Sequence, residues 1–119
     1  MTIVERVAKN VDHAAVQRIQ QDEAARATAE RIAALRHIVF RKAASNRNVQ
    51  ALTSETAAAR LLTSAGNSAD GFLVLGILRV AIDKRWHSVV LAGIRYFGEH
   101  PVAARIQELW NLTTDRETV

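Results

Sequence analysis

The sequence predicts an all-α protein, a helical bundle of about five helices with a long N-terminal helix. Two observations carry that expectation. One proline and five glycines in 119 residues leave few obligatory breaks, and apolar residues recur at three- and four-residue spacing, the period of a helix with one buried face. Hydrophobic residues make up 49% of the chain but aromatic residues only 5%. Much of the apolar count is alanine, so a core is expected from Val, Ile and Leu at close helix–helix contacts.

Residues 2–44 contain neither Gly nor Pro and read as one long helix or two nearly collinear ones. Thr2 can cap it, with Glu5 completing a capping box. Val4, Val7, Val11 and Ala14 open an apolar seam that resumes at Ala25, Thr28, Ile32, Leu35 and Val39. Arg18 and Gln21 fall on that seam between the two halves, either as a polar interruption that sets register or as the mark of a bend near residues 20–23. A helix this long with so narrow an apolar stripe must pack on another segment or on another copy of itself.

Ser45-Asn46-Arg47-Asn48 is a polar break, after which a second helix is expected to reach Ala65 with Val49, Leu52, Thr56, Ala59 and Leu62 along one side. Gly66 is expected just past its end. A third helix, about Gly71 to Lys84, is apolar nearly all round and belongs at the centre. Ser88 can cap a fourth, His87 to Phe97, closed by Gly98. Tyr96 and Phe97 read as core, and Trp86 as closing the end of the bundle. Pro101 suits the first turn of a fifth helix, running to about Leu112 with Val102, Ile106, Leu109 and Trp110 inward. The expected organisation is one helical domain over 1–112, with a long helix 2–44, compact helices over 46–112 and a frayed tail at 113–119.

Composition excludes several functions. The chain has no cysteine, which removes disulfides, thiolate catalysis and Cys-based metal sites. Charge appears early at the N-terminus without an apolar stretch behind it, so no secretory signal is visible. The longest apolar run, Phe72 to Ile82, is interrupted by Arg79 and falls short of the roughly 20 residues of a membrane span. A cytoplasmic protein with no membrane role is expected.

The sequence carries no recognisable catalytic motif, and no cofactor is expected. Gly66 and Gly71 have the separation of a phosphate-binding loop, but Phe72-Leu73 stand where Lys and Ser/Thr are required. His13, His37, His87 and His100 are scattered, with no HExxH pattern and no calcium-loop spacing. His100, before Pro101, reads as a cap or turn residue. An enzyme assembled from scattered Ser, His and Asp is the minority reading.

Charge distribution is the one feature above background. Net charge is +4, and arginine outnumbers lysine thirteen to three. The guanidinium fork suits phosphate and carboxylate, though a GC-rich coding bias produces the same excess. Between residues 31 and 54 lie Arg31, Arg36, Arg41, Lys42 and Arg47 with no acid among them. Such segregation draws a phosphate backbone, and Asn46 and Asn48 add donors. A helix C-terminus also favours cations through its own dipole. With Ile32, Leu35 and Val39 inward, Arg31 and Lys42 flank that face on one edge, Arg36 lies on the other, and Arg41 is at the back. Charges that surround a helix end fit gripping of a polyanion better than reading of base edges. Lys84 and Arg85, beside Trp86, form a secondary candidate.

An early long helix, a compact helical remainder, Arg-rich surfaces and no catalytic residues resemble the small helical subunits of CRISPR ribonucleoprotein complexes. The resemblance is architectural and spans the chain without a diagnostic motif. It implies several copies side by side along an RNA-bound filament, with Arg36, Arg41 and Arg47 facing the nucleic-acid backbone. The leading expectation is a non-enzymatic subunit that joins other protein subunits or its own copies and contacts RNA or DNA without sequence preference. The alternative is a protein–protein adaptor that pairs through the Val4–Val39 stripe, its basic end merely solvated.

Overall fold

A computed structural model describes residues 13–115, with side chains from Ala15 onward. Six helices and no strand occur among the described residues: α1 (His13–Phe40), α2 (Arg47–Gln50), α3 (Glu55–Asn67), α4 (Gly71–Lys84), α5 (His87–Phe97) and α6 (Pro101–Asp115). The chain divides into two compact units, residues 1–31 and 32–119. The expected Thr2–Glu5 capping box and the seam residues Val4, Val7 and Val11 lie outside the described residues.

The first unit contributes the upstream part of α1, and nearly every described side chain on it is exposed. Thr28 Oγ1 donates to the Ala24 carbonyl, a bond a helix makes to itself.

The second unit holds the core. It is built from aliphatic side chains, with Leu35, Ile77, Leu78, Ile82, Ile106 and Leu109 fully buried and no buried polar or charged residue among those described. α4 is central, as its all-round apolar pattern predicts: α3, α5 and the short α2 all pack on it, α3 touches α5, and α6 packs on α5. Gly93 of α5 admits the close approach, because a Cβ there would run into the Leu78 side chain of α4. The last turns of α1 belong to this core through Leu35, Val39 and Phe40, with Ile32 packed against them.

Several boundaries differ from expectation for identifiable reasons. α1 stops at Phe40 rather than 44. The Ala43 N–H turns back to the Phe40 carbonyl at 3.1 Å, and the Ala44 N–H leaves the helix to donate to the Phe72 carbonyl of α4 at 2.9 Å. The expected second helix is two elements. Asn46 caps α2 by accepting from the Val49 N–H at 3.0 Å, and Ser54 caps α3 by accepting from the Ala57 N–H at 3.1 Å. The non-helical residues between them reset the helical phase. Val49, Leu52 and Leu62 are buried as expected, but Ala58 and Ala65 face inward with them while Thr56 and Ala59 are exposed. The left-handed residue after α3 is Ala69 (φ 53°), not Gly66, which lies inside the helix.

α5 begins without a side-chain cap, and Ser88 instead donates to Glu55 Oε1 at 2.6 Å, tying α5 to the start of α3. Tyr96 is 38% exposed rather than core, edge-on to Phe97 with ring centroids 5.0 Å apart. Trp86 packs partly buried against the core, as expected of a bundle-closing indole. His100 accepts the Val102 N–H on Nδ1 at 3.0 Å, the capping role expected of it. α6 runs on to Asp115, where Thr113 and Thr114 donate to the Leu109 and Trp110 carbonyls. No helix among the described residues is long and apolar enough to cross a membrane.

Candidate nucleic-acid interface

The basic end of α1 is placed by a backbone contact. The Ala44 N–H to Phe72 carbonyl bond holds the chain after α1 against the first turn of α4. That approach needs a glycine at position 76, since a Cβ there would collide with the Ala44 carbonyl. The turn is thereby fixed, and with it the exposed Arg41 and Lys42.

Of the concavities that border this turn, two gather its basic side chains. The first, about 250 Å³, is lined by Arg36, His37, Phe40 and Arg41 and by Arg79 from α4. Within it Arg36 is already occupied. Its guanidinium donates to both carboxylate oxygens of Asp83, at 2.9 and 3.3 Å, and lies 5.9 Å from the Phe40 ring centroid. A guanidinium held by a carboxylate has its charge compensated, so Arg36 offers a polyanion far less than the sequence expectation allowed. Arg41 and Arg79 are exposed, and neither forms an ion pair among the described residues.

The second concavity, about 340 Å³, has an apolar floor that includes Ile38, Phe72 and Val102. Arg41, Lys42, Arg105 and His100 stand at its polar positions, and no carboxylate lines it. Ile38 and Phe72 are 46% and 56% exposed.

The remaining predicted residues are not gathered into either concavity. Arg31 is exposed and belongs to the N-terminal unit. Asn46 commits its side-chain oxygen to the cap of α2, Arg47 opens that helix, and Asn48 is exposed on it. Lys84 is exposed at the end of α4. Arg85 adopts the left-handed conformation there (φ 62°) and donates to the Ile82 and Asp83 carbonyls at 2.6 and 3.3 Å. Its guanidinium satisfies carbonyls that the helix leaves open.

Arg79 and Arg105 were not singled out from the sequence, because each lies far along the chain from the acid-free stretch. A signal for Arg79 did exist. It is the lone charge within the apolar run 72–82, and a charge inside a central helix must point to solvent. Arg105 had none: it is an exposed position one turn before the buried Leu109 that no local pattern marks.

No group of three or more His, Asp or Glu side chains is placed to hold a metal ion among the described residues. No family model, curated protein or solved structure matches the chain.

Proposed function

We propose that this chain is a non-enzymatic helical subunit that contacts the phosphate backbone of RNA or DNA without sequence preference, through the concavity at the end of α1. The observation that carries the reading is the convergence of Arg41 and Arg79, from separate elements, around one open hollow, with neither forming an ion pair among the described residues. His37 lines the same hollow and adds a ring nitrogen able to donate. Guanidinium groups free to present their forks to phosphate oxygens supply affinity and orientation but no base reading. A long helix leading into a compact bundle also fits the small helical subunits of CRISPR ribonucleoprotein complexes.

A binding titration with single- and double-stranded RNA and DNA at several salt concentrations tests the reading. The logarithm of the association constant should fall with the logarithm of salt by about 0.7 to 0.9 per phosphate contact. Arg41→Ala and Arg79→Ala should each flatten that slope by about one contact. Binding insensitive to salt, or none to any of the four ligands, removes the proposal.

One observation favours a second reading, a protein–protein adaptor. The exposed Ile38 and Phe72 both line the other concavity, and an apolar lining with charged residues around it is the anatomy of a helix-receiving groove.

A further inference from the structure

The N-terminal part of α1 carries an unusual segregation of charge. At 3.6 residues per turn, Val16, Asp22, Glu23 and Glu30 all fall within about 60° of Ile19. Every acidic residue between Ala15 and Arg31 therefore shares one face with two exposed aliphatic side chains, Val16 at 37% and Ile19 at 60% exposure. Arg26 is the single cation on that face, so it carries a net charge of −2, three carboxylates less one guanidinium. Asp22, Glu23 and Glu30 form no ion pair among the described residues.

The groove floored by Ile38 and Phe72 is the opposite in sign. Arg41, Lys42 and Arg105 give it +3, His100 adds an imidazole, and no carboxylate lines it. An apolar pair flanked by acids thus faces, in composition, an apolar pair flanked by bases.

We propose that these two surfaces bind each other between copies of the chain: the Ile19 face of α1 in one molecule docks in the Ile38–Phe72 groove of the next. Complementary charge selects this occupant and sets its register, while burial of Val16 and Ile19 supplies the attraction. The contact joins two different surfaces, so repetition gives a ring if the rotation closes and a filament if it does not. The interface needs no nucleic acid and does not rest on the function proposed above, although Arg41 lines both the groove and the phosphate-binding hollow.

The test uses nuclease-treated full-length protein followed by sedimentation across a range of concentrations. The unaltered chain should associate as concentration rises. Asp22→Lys with Glu23→Lys makes the helix face basic, and Lys42→Glu with Arg105→Glu makes the groove acidic. Each double variant alone should lose at least about tenfold in association constant. Mixed together, the two should recover it, because the basic face of the first now meets the acidic groove of the second. Recovery on mixing excludes misfolding as the cause of the losses. A chain that stays monomeric at every concentration, association unmoved by either double variant, or failure to recover on mixing would each overturn the proposal. Since no nucleic acid is present, none of these results bears on the phosphate-binding reading.

Discussion

Arg36 of α1 and Asp83 of α4, 47 residues apart in sequence, meet in a two-pronged ion pair whose side chains are 32% and 52% exposed. The pair joins the last turns of α1 to the end of the central helix and withdraws one cation from the basic end of the molecule. Asp83→Asn should cost less than about 1 kcal/mol, because partly exposed pairs are screened by water and salt. The same change returns the charge of Arg36 to the hollow it shares with Arg41 and Arg79. Nucleic-acid affinity should rise and its salt slope steepen by about 0.7 to 0.9. A thermal melt beside a salt titration reads both effects, and a fall in affinity would mean that Asp83 instead holds Arg36 in a binding posture.

Within α1, burial changes sharply along the helix. Leu35 is fully buried while Ile19 is 60% exposed. Leu35→Ala leaves a cavity in the core and should destabilise the protein by about 2 to 5 kcal/mol. Ile19→Ala, measured at a concentration where the chain is monomeric, should stay within about 0.5 kcal/mol of the unaltered protein. Denaturant melts of the two variants separate them. Equal losses would show that the upstream half of α1 is packed in the folded monomer.

At the end of α3 the glycine and the left-handed residue are not the same residue. Gly66 is helical, and a Cβ there would meet Tyr96 Cδ2 at 3.5 Å, an ordinary contact. Ala69 holds φ 53°, where its Cβ is crowded. Gly66→Ala should therefore stabilise by about 0.5 to 1 kcal/mol through lower unfolded-chain entropy. Ala69→Gly should stabilise by a similar amount through relief of the strained φ. Thermal melts should show both variants, and additively their combination, above the parent. A drop on Gly66→Ala would place Tyr96 closer than an ordinary contact.

That mismatch shows which parts of the fold the sequence could disclose. Helix identity and the central place of α4 follow from local pattern, since apolar periodicity and the scarcity of Gly and Pro act over neighbouring residues. α5 opens and closes where His87 and Gly98 predict, and α6 opens on Pro101. The end of α1 was hidden because its cause is distant: Ala44 finds its acceptor on Phe72. The register of α3 was hidden because Ser54, one of several polar residues in that stretch, turned out to be the cap. The candidate site divides in the same way. An acid-free stretch is legible as a basic pole, but compensation of Arg36 by Asp83 and recruitment of Arg79 and Arg105 depend on which helices pack together.

Gly76 is the residue on which the geometry of the basic turn depends most. Gly76→Ala would drive a Cβ into the Ala44 carbonyl, a backbone atom that cannot rotate aside. The chain after α1 must shift, weakening the Ala44–Phe72 bond and moving Arg41 away from Arg79. A stability loss of about 1 to 3 kcal/mol is expected from the overpacking, together with weaker phosphate binding by the protein that remains folded. Gly93→Ala is the matched control. Its Cβ would strike the Leu78 side chain in the core, costing a similar amount of stability on the side of α4 turned away from Gly76. Titrations below both melting transitions should find binding reduced in Gly76→Ala and unchanged in Gly93→Ala. Equal binding by the two would show that the turn's position does not govern the phosphate contact.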